Sequence, residues 1–160
     1  MSYPQPQTYP APAGEPPLWA PLYGASPVQA VQRFFKKYAT FSGRASRSEY
    51  WWWALASFIV TIVLELVYVG LGFAGASTDA SGRTVPGAGA VIGAILLVVW
   101  GLGIIVPGLA LAVRRLHDAN MSGWFLLIVL VPAVGSLAVL VFMILGPNPA
   151  GQRFDRPSGY

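Results

Sequence analysis

The 160-residue chain contains no cysteine and a single histidine, and only 10% of its residues are charged. The absence of cysteine removes disulfide frameworks, thiolate catalysis and cysteine-ligated zinc, haem or iron-sulfur centres together. The scarcity of charge is equally restrictive. An ordinary soluble domain is about 25% charged, and so few ionic groups cannot cover a water-exposed globule of this size. What is abundant is apolar: 55% of the residues are hydrophobic and the mean hydropathy is +0.58. Part of the solvent for this chain must be lipid.

Residues 1–26 carry Pro4, Pro6, Pro10, Pro12, Pro16, Pro17 and Pro21, with Glu15 as the only charge. Such a composition favours extended polyproline II and buries no core, so it predicts a disordered arm. The arm lacks the basic start, continuous apolar run and small-residue cleavage site of a secretory signal and is expected to stay on the mature protein. From Ser26 the pattern changes. Pro27 suits a first helical turn behind an N-cap serine, and Val28, Val31, Phe34, Phe35 and Tyr38 recur at helical spacing. The opposite face holds Gln29, Gln32, Arg33, Lys36 and Lys37. This predicts an interfacial amphipathic helix over 27–40, lying in the headgroup layer of a bilayer with anionic lipid.

Three apolar runs follow, at 51–73, 88–113 and 124–145, with Glu65 as their only charge. The shortest gives about 33 Å of helix against a hydrocarbon core of about 30 Å. Trp51, Trp52, Trp53 and Trp124 stand at run ends, where indole rings anchor helices at the interface, while Trp100 lies inside its run and is expected to pack between helices. The fold class is therefore an all-α integral membrane protein with three transmembrane helices, its membrane domain covering 27–157 and its polar tail 146–160. Arg33, Lys36, Lys37, Arg44, Arg47, Arg114 and Arg115 flank the runs on one side, and only Arg83 lies in the 74–87 connection. The charged side is expected to be cytoplasmic, with the N-terminus. Pro132-Ala-Val-Gly135 near the middle of the third run leaves two topologies: a kinked single span with the tail outside, or a re-entrant hairpin that returns Arg153 and Arg156 to the inside. The single span is the expectation, because proline kinks are common in spans and non-helical backbone at depth needs protein cover.

In Phe41-Ser-Gly-Arg-Ala-Ser-Arg-Ser-Glu-Tyr-Trp51, Ser46 and Glu49 have capping-box spacing, which starts the first span at Arg47 and gives Glu49 a structural use. Arg44 and Arg47 are placed to meet lipid phosphates or, alternatively, to form an anion or partner site. In Arg114-Arg-Leu-His-Asp-Ala-Asn-Met-Ser-Gly-Trp124, the cations close a helix C-terminus and Ser122 caps the next element. His117, Asp118 and Ser122 suggest a hydrolytic triad only by nearness in sequence, with no nucleophile elbow beside them. The sharper expectation is a polar cluster in which Arg114, Arg115, His117 and Asp118 stand against Arg44, Arg47 and Glu49, with Asp118 reached by Arg44 or Arg47.

These two motifs and the tail Gly146-Pro-Asn-Pro-Ala-Gly-Gln-Arg-Phe-Asp-Arg-Pro157 resemble the bacterial family called domain of unknown function 805, the YhaH-like inner membrane proteins. The resemblance runs from about Val31 to Pro157 and rests on Gly43, Arg44, Arg47, Glu49, Trp51, Arg114, Arg115, Leu116, His117, Asp118, Ser122, Gly123 and Trp124. The tail departs from the family pattern, with Gln152 before Arg153 and Asp155 after Phe154. The resemblance implies a bacterial inner membrane location and no established activity.

Glu65 stands about 20 Å along the first helix from Trp51, toward the surface opposite the cations. Charges at depth face protein or water and usually have a use, although a glutamate near the interface stays hydrated or protonated at modest cost. Gly89 with Gly93, and Gly108 with Ala112, permit close helix approach. The leading reading is a membrane-embedded interaction or scaffold protein that binds lipid headgroups or a protein partner, including a second copy, at its cytoplasmic face. The alternative is a transporter or channel component using Glu65 and the His117/Asp118 cluster. No catalytic set, metal site or cofactor is expected, and no nucleic acid, because the cations serve the membrane side.

Overall fold

The structure, a computed structural model, describes residues 15–155. Its helices are α1 (Pro27–Lys36), α2 (Arg47–Phe73), α3 (Gly89–Asp118) and α4 (Val134–Ile144), with 3-10 segments at Gly123–Leu130 and Pro149–Phe154. The two-residue strands β1 (Ser77–Thr78) and β2 (Thr84–Val85) pair antiparallel in the α2–α3 connection. Asp79 closes their turn by accepting the backbone N–H groups of Ser81 and Arg83.

Local chemistry sets the helix starts. Ser26 and Gln29 form one capping box, with Pro27 in the first turn, and Ser46 and Glu49 form the other, so α2 begins at Arg47. Both α2 and α3 are long and apolar enough to cross a membrane. They pack as an antiparallel pair because Gly93 has no side chain: a Cβ there would lie 2.6 Å from the Cα of Tyr68. Gly108 faces open space and takes no part in this approach. Farther along, Trp100 packs between the helices, 6.3 Å from Trp53 ring to ring, and its Nε1 donates to Thr61 Oγ1 at 3.1 Å. Pro107 inside α3 donates no hydrogen bond to the carbonyl of Gly103, four residues earlier; the Tyr38 hydroxyl donates to that carbonyl at 2.7 Å. The helix runs on past Val113 to Asp118, since the polar residues after the apolar run are themselves buried and paired.

The third apolar run folds back on itself. A 3-10 leg over Gly123–Leu130 reaches Pro132, and Ala133 turns at φ +62° with a Val134 N–H to Pro132 carbonyl bond of 2.7 Å, the hydrogen bond of a γ-turn. Gly135 then packs directly against the carbonyl of Ile128. Helix α4 returns, and the Leu145 carbonyl accepts from Arg47 Nε at 2.8 Å while Asn148 N–H donates to the Asp118 carbonyl at 2.8 Å. Both ends of the run therefore lie at the Arg47/Asp118 end of the helix pair. The expectation of a kinked single span is corrected. Each leg is about 16 Å long at 1.5–2.0 Å per residue.

Two further expectations change. Residues 15–26 of the arm are packed rather than disordered: Ala25 is buried, and Arg33 donates to the carbonyls of Pro16, Pro17 and Ala20 at 3.1, 3.3 and 2.6 Å. The earlier part of the arm lies outside the described residues. Helix α1 also turns differently from the amphipathic expectation, burying Ala30, Arg33, Phe34 and Lys37 together while Val28, Phe35 and Tyr38 stay exposed. Phe34 stacks on Trp53 at 3.4 Å, in a core with Ala45 and Leu111, and a second core joins Ala112, Leu116 and Met143.

Candidate functional site

The polar residues at the Arg47/Asp118 end form two adjoining buried ion clusters. In the first, Glu49 receives Arg33 Nε at 2.7 Å and lies 3.6 Å from Lys37 Nζ. Its carboxylate also accepts the N–H of Ser46 at 2.9 Å, as the N-terminal capping box requires, and that of Leu22 in the arm at 3.0 Å. Arg114 is buried beside them. Its Nε donates to the Ala110 carbonyl at 3.0 Å, its own carbonyl accepts Ala45 N–H at 3.0 Å, and its Nη2 has no hydrogen-bond partner among the described residues. Two cations thus pair with one carboxylate, and Arg114 stands within its electrostatic reach. Burial pushes the Lys37 ammonium down to about 8 against the pull of Glu49, with Arg114 and Arg33 adding to the depression.

The second cluster centres on Asp118. Arg115 Nη1 lies 3.1 Å from one carboxylate oxygen, and Arg44 Nη1 and the Tyr23 hydroxyl lie 3.5 and 2.7 Å from the other. Arg44 also grips Asp155 of the tail with two bonds of 2.6 and 2.7 Å, which hold its guanidinium firmly protonated. Burial, then the bond to Asp118, raise the Tyr23 phenol to about 12. Arg115 continues to the carbonyls of Met143 and Leu145, so it and Arg47 satisfy carbonyl groups at the end of α4 that a helix terminus leaves unpaired.

The other motif residues have definite places. His117 stacks on Phe154 at 4.1 Å with the rings 3° from parallel, and its Nδ1 lies 3.0 Å from the Gly43 carbonyl. Ser122 accepts the N–H of Trp124 as a cap. His117, Asp118 and Ser122 therefore have separate partners and share no hydrogen bond in the set of a triad. Glycine is required at two crossings. Gly43, at φ +80°, has the Trp19 carbonyl 2.5 Å from where a Cβ would sit, and a Cβ on Gly151 would strike the His117 carbonyl.

The structure brings together Arg44, Glu49, Arg114, Arg115, His117 and Asp118, with Arg47 at their edge. Arg47 bonds Leu145 rather than Asp118, and Asp118 takes Arg115 and Arg44 instead. Glu65 stands apart, exposed on α2 about 27 Å along the helix from Arg47, with no ion pair or hydrogen bond among the described residues. Sequence reasoning missed Tyr23, Arg33, Lys37 and Asp155 as members. One signal was present: Arg33 and Lys37, at i and i+4, precede a short link to Glu49. Among the described residues no group of three metal-ligating side chains forms.

Comparison with known proteins adds a relationship. The family model described as "Protein of unknown function (DUF805)" matches residues 38–156. The chain is 35% identical over 122 residues to "Inner membrane protein YhaH" of Escherichia coli (strain K12), covering 76% of this chain and 89% of that protein. It is 34% identical over 119 residues to "Inner membrane protein YhaI" of the same organism, covering 74% and 86%. No solved structure matches. The match starts after α1, so Tyr23, Arg33 and Lys37 reach into the clusters from outside it.

Proposed function

The chain belongs to the DUF805 family of proteins of unknown function, whose relatives here are inner membrane proteins, and from that premise we propose that it is a membrane-embedded scaffold engaging anionic lipid headgroups at the cytoplasmic face. In this reading α2 and α3 are the spans, the 124–145 run is a re-entrant hairpin one leaflet deep, and the clustered end faces the cytoplasm with the N-terminus. Charge supports the orientation: eight cations (Arg33, Lys36, Lys37, Arg44, Arg47, Arg114, Arg115 and Arg153) and four carboxylates (Glu15, Glu49, Asp118 and Asp155) belong to that end, against one cation, Arg83, and one carboxylate, Asp79, in the other connection.

The observation that carries the scaffold reading is how those charges are used. Glu49, Asp118 and Asp155 are all bound to cations of the same chain, which joins arm, both long helices, hairpin and tail into one rigid end. Lys36 is left to meet external anions on an exposed edge beside Phe35 and Tyr38, where the Phe35 ring lies 5.6 Å from that of Trp53. The transporter alternative gains no such support, since Asp118 is fully buried in ion pairs and Glu65 lies far along α2.

Thermal unfolding in mixed micelles tests the reading. Phosphatidylglycerol should raise the midpoint more than phosphatidylcholine, salt at 1 M, where the Debye length is about 3 Å, should erase most of the difference, and Lys36→Glu should reduce it. Equal stabilisation by both lipids at low salt would overturn the proposal.

A further inference from the structure

A cleft of about 650 Å³ lies between α3 and the 3-10 leg of the hairpin, walled by Phe41, Leu109, Val113, Leu127 and Leu130, with His117 at its polar end. Gly123 creates its closed end: a Cβ there would lie 2.7 Å from Val113 Cγ1, so the leg touches α3 at that point. Beyond it Leu109, Leu127 and Leu130 remain exposed, although they line a concave wall.

Beside the polar end stands a cation that no carboxylate among the described residues neutralises. His117 stacks on Phe154, the Arg153 guanidinium lies 4.6 Å from the centre of the Phe154 ring, and its Nη2 donates to the Asn120 carbonyl at 3.3 Å. Arg33, Lys37, Arg44 and Arg115 each have a carboxylate partner; Arg153 has none among the described residues. An apolar trough whose polar end at His117 adjoins Phe154 and, across that ring, an exposed guanidinium with no carboxylate partner among the described residues matches an amphiphile with a negative head.

Its depth selects among amphiphiles. From His117 to Leu109 along α3 is about 12 Å, and the hairpin legs are about 16 Å, close to half of a hydrocarbon core of about 30 Å. A crossing helix from a partner requires the full thickness, whereas one acyl chain occupies one leaflet. We infer that this cleft holds one acyl chain of an anionic phospholipid, whose phosphate is bound by Arg153. The inference rests on the headgroup-layer placement proposed above, and it adds a single discrete lipid site separate from the Lys36 edge.

Native mass spectrometry of the full chain in mild detergent, with phosphatidylglycerol as probe and phosphatidylcholine as control, tests it. The wild type should retain one phosphatidylglycerol after weakly held lipids are stripped. Arg153→Gln should weaken that binding at least about tenfold and abolish the preference over phosphatidylcholine, while Arg153→Lys keeps most of both. Leu109→Trp or Leu127→Trp, whichever gives wild-type helicity and unfolding midpoint, should lose the lipid by filling the trough. Single-chain lysophosphatidylglycerol should compete and glycerol phosphate should not. Retention of the lipid in a folded cleft-filled variant, competition by glycerol phosphate alone, or a dimer that the cleft-filling change dissociates would each overturn the site. Lys36→Glu separates the two proposals: it should lower the general stabilisation by phosphatidylglycerol and leave the one retained lipid in place.

Discussion

Removing the Asp118 carboxylate should be among the most damaging single changes at the clustered end, and its energetic coupling should follow the observed partners rather than sequence distance. Asp118 and Arg115 are both 0% exposed and 3.1 Å apart, so Asp118→Ala leaves a fully buried guanidinium facing only the carbonyls of Met143 and Leu145. Breaking a buried pair from one side costs about 3–5 kcal/mol. Arg44 loses less, because Asp155 still holds it with two bonds. Double-mutant cycles, read from equilibrium unfolding in detergent by circular dichroism, should therefore rank the couplings. Asp118 with Arg115→Ala should couple by about 2 kcal/mol, with Arg44→Ala by about 1 kcal/mol, and with Arg47→Ala by less than about 0.5 kcal/mol. Arg47 is the control: it lies in the same motif as Arg44 but bonds Leu145. Additivity for Asp118 and Arg115, or an Arg47 coupling as large as theirs, would refute the reasoning.

Lys37 gives a pH signature: unfolded lysine keeps its proton to 10.5 and the folded group releases it at about 8, so between these values the unfolded state binds more protons and stability rises with pH. The destabilisation is fully present below pH 8. Unfolding measured from pH 8 to 10 should show a gain of about 2 kcal/mol that Lys37→Met abolishes; above pH 10 Tyr23, raised from 10.0 to about 12, works in the opposite sense. Gly43→Ala should cost at least about 2 kcal/mol in the same unfolding assay, because it combines a left-handed backbone with a clash on the Trp19 carbonyl; a loss under about 0.5 kcal/mol contradicts the packed arm. Since the chain has no cysteine, single Lys36→Cys, Ser77→Cys and Ala150→Cys variants report sidedness directly. In spheroplasts an impermeant thiol reagent should label only Ser77→Cys, and labelling of Ala150→Cys with it would restore the kinked single span.

What the sequence determined is what local spacing and transfer free energy encode. Ser46 and Glu49 sit three residues apart, so the capping box and the start of α2 were legible without the fold. Two helices long and apolar enough to cross, the packing of Trp100 and the close approach at Gly93 were legible too, because the first depends on composition and the others on one residue's size. The clustering of Arg44 and Arg115 with Asp118 was foreshadowed by motif charge, but partner identity was not: Arg47 and Arg114 have the same charge and comparable positions.

Tertiary structure decided the rest. The run 124–145 is equally apolar whether it kinks or reverses, and the choice falls to a turn at Ala133 stabilised by carbonyls at its far end meeting Arg47 and Arg115. The arm looked unable to order because its own composition buries no core, yet its carbonyls are partners for Arg33, a cation on a different element. Tyr23 meets Asp118 across 95 residues and Arg44 meets Asp155 across 111. Nothing local encodes such pairings. They follow from the cost of leaving a charge unpaired out of water, which is fixed only once the folded chain has decided what surrounds it.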